Sequence, residues 1–243
     1  MIVAHRGASH EAPENTIPAF ELAWKQGADA IEGDFHLTKD GHIVCIHDED
    51  TQRVAGKKLV VRQSTLEELR RLDVGAYRGE AFRGTVIPTF QEVLATVPSG
   101  KKLYIEVKCG KEIVPQLIAE MGRSRLKSEQ MVLISFHQEV VKAWKMQAPR
   151  QLAYWLFSHK ENKPGFMRKS QQDILHIMRQ TGADGLSTNV TLPAEIVGSV
   201  MKEGWSWHVW TVDDVQVAQK MRSQGARSIT TNRPADIIRH LAQ

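Results

Sequence analysis

Asp29-Ala-Ile-Glu-Gly-Asp-Phe-His-Leu-Thr-Lys-Asp-Gly-His-Ile-Val-Cys-Ile-His-Asp48 leaves few choices to a chain that must fold. Asp40-Gly41 at its centre is a two-residue hairpin signal, because a type I′ turn needs positive φ at both central residues and these two tolerate it. The flanks then pair antiparallel, with Lys39 facing His42, Leu37 facing Val44 and Asp34 facing His47. Facing side chains lie roughly 4.5 to 5.5 Å apart at Cβ. In this register one face carries Glu32, Asp34, His36, Cys45 and His47, and the other carries Gly33, Phe35, Leu37, Val44 and Ile46. The second face is a core. The first is a set of chemically active groups.

Outward from this stretch, short apolar runs alternate with amphipathic ones. Strands are predicted over 2–5, 30–34, 103–108, 131–136, 152–157, 184–188, 207–212 and 228–232. Helices are predicted over 17–26, 90–96, 112–121, 138–146, 170–181, 194–203 and 213–224, with a last one after Pro234. Gly27, Gly122, Gly182, Gly204 and Gly225 follow helices as left-handed stops, and Thr89/Glu92 and Ser64/Glu67 form capping boxes. Eight strands, each followed by a helix, predict an α/β protein of the (β/α)₈ class over residues 1–243. The run 43–47 is not a ninth barrel strand, since a parallel crossover needs a dozen or more residues. After the second strand and its hairpin, 48–86 has few apolar residues and is expected as an insertion over the barrel mouth rather than a separate domain.

In such a barrel, chemistry belongs at the C-terminal ends of the strands. His5-Arg6, Glu32-x-Asp34, Glu106-x-Lys108, Trp210-Thr211 and Thr231-Asn232 stand there. Residues i and i+2 share a face, so Glu32, Asp34, Glu106 and Lys108 all point into the mouth. Three carboxylates from adjacent strands suit a hard divalent cation, Mg²⁺ or Ca²⁺.

His5-Arg6-Gly7, Pro13-Glu14-Asn15-Thr16, Glu32-x-Asp34, His47-Asp48, Glu106-x-Lys108, Trp210-Thr211 and Thr231-Asn232-x-Pro234 together resemble the glycerophosphodiester phosphodiesterases, from the first strand to the last. The resemblance implies a (β/α)₈ barrel with a small insertion after the second strand. It also implies hydrolysis of glycerophosphodiesters to sn-glycerol 3-phosphate and an alcohol through a cyclic phosphate. It makes Glu32, Asp34 and Glu106 metal ligands, His5 and His47 an acid/base pair, Arg6 and Lys108 phosphate contacts, and Trp210 a wall for the glycerol. Phospholipase D-like cleavage of lysophospholipids and a non-catalytic phosphate-binding barrel are the alternatives. The lipid enzymes carry a secretion signal and a disulfide-held loop, neither of which is expected here, while 57–83 is mostly polar.

Composition excludes other classes. The 243 residues are 42% hydrophobic and 25% charged with net charge +4, and the cations are scattered, so no nucleic-acid groove is expected. No apolar run reaches the roughly 18 residues of a membrane span. Met1 leads directly into a strand, and Cys45 and Cys109 lack disulfide or metal spacing, so a cytoplasmic protein with reduced thiols is expected and Mg²⁺ ranks slightly ahead. Other motif residues have structural readings. Asn15 or Thr16 caps a helix with Glu14 as a partner of the site, His36 and His42 are solvated, His208 is hydrogen-bonded in the barrel, and Cys45 and Cys109 pack. Trp24, Trp144, Trp155 and Trp205 join helices to the barrel. His137 is particular to this chain.

Overall fold

Each predicted strand pairs with its neighbour in the computed structural model, which describes residues 1–159 and 169–241. The strands are β1 (Ile2–His5), β2 (Ala30–Leu37), β3 (Ile43–Cys45), β4 (Lys102–Val107), β5 (Met131–Ser135), β6 (Leu152–Phe157), β7 (Gly185–Thr188), β8 (Ser206–Val209) and β9 (Ser228–Thr231). All but β3 are parallel, and β1–β2 pairing closes them into an eight-stranded barrel. Two registers place the site: His5 lies beside Glu32, and Asp34 beside Glu106.

The helices are α1 (Ile17–Lys25), α2 (Gln52–Ala55), α3 (Leu66–Arg70), α4 (Phe90–Thr96), α5 (Val114–Gly122), α6 (Gln138–Gln147), α7 (Gln171–Thr181), α8 (Ala194–Lys202), α9 (Val215–Ser223) and α10 (Pro234–Leu241). Their apolar faces and the outward strand residues form the main core, in which Trp144 and Trp155 are buried and against which Trp24 and Trp205 pack. Among the described residues no helix is long and apolar enough to cross a membrane.

The hairpin is in a different register from the expected one. Phe35 faces Cys45, His36 faces Val44 and Leu37 faces Ile43. The loop has three residues, Lys39, Asp40 and Gly41, closed by the Thr38 N–H on His42 O at 2.9 Å, with Gly41 left-handed at φ +81°. A one-residue slip exchanges the faces of the returning strand. Cys45 and Ile43 therefore join Phe35 in the core, while Val44 and Ile46 point to the opposite side. His36 is buried rather than solvated, and its Nε2–H donates to His47 O at 3.2 Å. His42 is exposed, as expected.

Two helix ends also differ. The second capping box is Thr65/Glu68, because Ser64 closes the preceding 3₁₀ turn and its hydroxyl donates to Val60 O. Gly122 lies within α5, whereas Gly27, Gly182, Gly204 and Gly225 have positive φ. Gly7 is required by contact: at φ +81°, a Cβ there would sit 2.6 Å from the carbonyl carbon of Ala19 in α1.

Segment 48–86 carries α2, α3 and three 3₁₀ turns. Its apolar residues, expected to be too few for a core, make a small one with β3 and the chain before α4. Val54, Val61, Leu69 and Val74 pack with Val44, Ile46 and Ile87.

Candidate active site

Alternation along β2 and the β2–β4 register bring Glu32, Asp34 and Glu106 together at the barrel mouth. Each offers an oxygen within 4.8 Å of the others, and all three are buried. Burial pushes the Glu32 carboxyl well above its usual range, with Asp34 and Glu106 adding to the effect. Burial and then Asp34 push Glu106 up to about 7. Burial opposes the charge on Asp34 too, but Arg6, Lys108, His47 and the Asn15 amide together outweigh it and hold this carboxyl below its usual value. Three close carboxylates with these shifts call for more positive charge than the chain supplies. Among the described residues, Glu32 Oε1 and Asp34 Oδ1 are buried without a hydrogen-bond donor, and Lys108 Nζ lies 3.5 Å from Asp34 Oδ1. An all-oxygen set with two unbonded buried acceptors fits a hard divalent cation.

The cations beside this set are themselves held by it. Arg6, at φ +55°, donates its backbone N–H to Glu32 Oε2 at 2.9 Å, and its guanidinium lies 3.2 Å from Asp34 Oδ2 and 3.0 Å from Glu14 Oε1. Lys108 Nζ donates to Glu106 Oε1 at 2.7 Å. Thr16, not Asn15, caps α1. Asn15 is left-handed at φ +57°, which frees its amide to clamp Asp34: Nδ2 donates to Asp34 Oδ2 at 2.7 Å, and Oδ1 accepts from the Asp34 N–H at 3.1 Å and Cys45 Sγ at 3.2 Å.

His5 and His47 line the same cavity of about 180 Å³, with Arg6, Glu32, Glu106 and Lys108. His5 Nδ1 lies 2.7 Å from Asn232 Oδ1, and the Asn232 amide donates to Asp213 Oδ2 at 2.7 Å. That second bond fixes the amide orientation, so the oxygen faces the ring and Nδ1 carries the proton. Burial, and then Arg6, lower the His5 pKa to about 4. His47 Nδ1 donates to Asp48 Oδ1 at 2.6 Å. Each ring is tethered through Nδ1, and among the described residues neither Nε2 has a hydrogen-bond partner. The slipped register would turn His47 away, but β3 ends at Cys45 and the chain turns His47 back to the mouth. Opposite the charged side stand Ile134, Phe136, Leu156 and Trp210, with Phe136 and Trp210 edge to face at 5.5 Å.

The model of the Glycerophosphoryl diester phosphodiesterase family matches residues 5–236. The chain belongs to this family. It is 34% identical to YhdW of Bacillus subtilis over 98% of the chain and 96% of that protein. It is 32% identical to a glycerophosphodiester phosphodiesterase of Caldanaerobacter subterraneus over 98% of the chain and 96% of the relative. The fold matches an Oleispira antarctica phosphodiesterase solved with its product sn-glycerol-3-phosphate, at TM-score 0.90 and 22% identity over 100% of this chain and 97% of that one. The protein is therefore a phosphodiesterase acting on glycerophosphodiesters, built on a (β/α)₈ barrel.

Every site residue named from the sequence of this glycerophosphodiester phosphodiesterase except Asp34 lines the cavity, and Asp34 joins the carboxylate set beside it. Sequence reasoning missed Asp213 behind Asn232, Arg53 behind Asp48, and Phe136 on the apolar wall. Phe136 had a findable signal, since it is two residues beyond Ile134 at the end of a predicted strand. Asp213 and Arg53 had none, because their partners come from other strands and loops. His137 is exposed, 3.6 Å from Glu139 and outside the cavity lining.

Proposed function

We propose that Glu32, Asp34 and Glu106 hold one divalent cation, Mg²⁺ or Ca²⁺, and that His5 and His47 act as the acid/base pair in hydrolysis of glycerophosphodiesters to sn-glycerol 3-phosphate. The observation that carries this reading is the meeting, at one cavity that Glu32 and Glu106 line and Asp34 adjoins, of the carboxylate set and two imidazoles each tethered through Nδ1. The bound cation would supply Lewis-acid offset of the charge on the phosphoryl oxygens. The chain's own groups do the rest. Arg6 and Lys108 sit beside the carboxylates, where they can share phosphate oxygens, Arg through its fork of donors and Lys as a point charge. One imidazole Nε2 accepts the proton of the glycerol 2-hydroxyl as it attacks phosphorus, and the other histidine, protonated, delivers its proton to the departing alkoxide. Water then opens the cyclic phosphate with the two roles exchanged. Trp210 walls the glycerol on the apolar side.

Residues 1–243 act as one catalytic unit in this reading, with 48–86 as a wall over the mouth. Support comes from Arg53 bonding to Glu14, from Tyr77 Oη accepting the Glu14 N–H at 3.2 Å, and from Arg78 donating to Ser9 O. The substrate is a small molecule rather than a nucleic acid. The free thiols Cys45 and Cys109 support a cytoplasmic setting.

Phosphorus NMR of glycerophosphocholine with purified protein and Mg²⁺ or Ca²⁺, against a chelated control, tests the proposal. Glycerol 3-phosphate should appear only with metal. Turnover that persists in chelator would remove the cation from the mechanism, and cleavage of lysophosphatidylcholine instead would move the substrate to lipids.

A further inference from the structure

Arg53 lies in α2, outside the barrel, with its side chain 47% exposed, and it does not line the cavity. Its guanidinium nevertheless joins two parts of the site. Nε donates to Asp48 Oδ2 at 2.6 Å, while Nη1 and Nη2 donate to Glu14 Oε2 and Oε1, each at 2.8 Å. Asp48 passes its other oxygen to His47 Nδ1 at 2.6 Å, and Glu14 Oε1 also takes Arg6 Nη1 at 3.0 Å. One exposed residue of the inserted segment thus stands behind both a histidine and an arginine of the cavity.

We propose that Arg53 is a positioning residue that orients His47 through Asp48 and Arg6 through Glu14, so that the inserted segment sets the aim of both groups. This rests on the reading of His47 and Arg6 given above. A single exposed ion pair contributes little to stability. The fork does something different: it fixes the planes of two carboxylates at once. With Oδ2 of Asp48 engaged, Oδ1 is left facing the imidazole, so the ring keeps its proton on Nδ1 and its Nε2 bare. With Glu14 pinned on both oxygens, the Arg6 guanidinium keeps its angle toward Asp34 and the cavity. Without Arg53 both carboxylates can rotate. A lysine has the charge but no fork, and can hold one carboxylate at a time.

The test compares Arg53→Met, Arg53→Lys, Asp48→Asn and the Arg53→Met/Asp48→Asn double variant on glycerophosphocholine with the cation present. Alongside the kinetics, ¹⁵N-histidine NMR of each resting protein reads the His47 tautomer, which needs no turnover. Arg53→Met should lower kcat/KM about 10- to 100-fold, the scale of misaimed reacting groups, and Arg53→Lys should recover part of that. The double variant should lose less in kcat/KM than the product of the two single losses, because both changes cut the His47 arm and only Arg53→Met also cuts the Glu14 arm. His47 should shift from Nδ1–H toward a mixture of tautomers in Arg53→Met. Wild-type kinetics in Arg53→Met, fully multiplicative losses in the double variant, or an unchanged His47 tautomer would each overturn the proposal. A protein inert in its wild-type form would instead refute the phosphodiester mechanism, and the tautomer would still decide the role of Arg53. If Arg53→Met does not fold, Arg53→Lys with the same readouts serves.

Discussion

His5 and His208 stand in one barrel, separated by only one strand, His208 buried and His5 half-buried at the mouth, yet they share a lowered basicity and differ in what they can do. Both lose basicity to burial, His5 to about 4 with Arg6 adding, His208 to about 3 with Arg227 and the amino terminus adding. His208 has both ring nitrogens engaged, Nδ1 with Ser228 Oγ at 2.7 Å and Nε2 with Ser206 Oγ at 2.9 Å, and its ring stacks on Tyr154 at 4.0 Å. His5 has one nitrogen held by Asn232 and the other turned to the cavity. Lost basicity therefore does not separate a structural histidine from one proposed to exchange a proton. The free nitrogen does, because a ring bonded at both ends has no lone pair or proton to exchange with a substrate.

The sharpest way to break this contrast is to remove each ring in turn. His5→Ala should lower kcat about 10²- to 10⁴-fold, the usual size of an acid/base contribution, with the melting temperature nearly kept. His208→Gln should leave kcat unchanged and cost about 1–3 kcal/mol of stability, since buried hydroxyls lose a partner. Equal kinetic losses in both variants, followed on glycerophosphocholine, would erase the distinction. The same contrast extends to the carboxylates. Asn15→Ala leaves the three proposed ligands in place but releases the clamp on Asp34, and should weaken Mg²⁺ or Ca²⁺ binding about 10- to 100-fold by calorimetry.

A smaller effect concerns pH. The pKa of His208 is about 3 folded against an ordinary 6.5, so between those values the unfolded chain binds more protons. Its contribution is fully present above pH 6.5 and is lost as pH falls toward 3. Denaturation series should show stability falling with acid more steeply in the wild type than in His208→Gln, by at most about 1.4 kcal/mol per pH unit. Parallel curves would mean that His208 is not buried neutral.

How much of this was visible beforehand depends on the reach of each interaction. The strands were legible within a residue or two at most ends, and so were most helix starts, since period and capping are local. The pairs Glu32/Asp34 and Glu106/Lys108 followed from alternation alone. The hairpin register did not, because Asp40-Gly41 suits either a two- or a three-residue loop, and the observed one moved Cys45 into the core and buried His36. Asn15 and Thr16 stayed equal candidates for the cap for a related reason: the left-handed backbone of Asn15, which aims the amide at Asp34 and leaves the cap to Thr16, has no mark in the sequence.

The sequence by itself determined the barrel, the order of its strands and which residue types stand at their C-terminal ends, because these follow from repeating apolar periods and short motifs. Only the tertiary structure decided which imidazole nitrogen is free, which carboxylate is clamped and what stands behind the histidines. His5 meets Asn232 across 227 positions and Arg53 meets Glu14 across 39. Such contacts exist only once β1 has closed on β9 and the inserted segment has packed on β3. A local pattern cannot encode a distance that barrel closure creates.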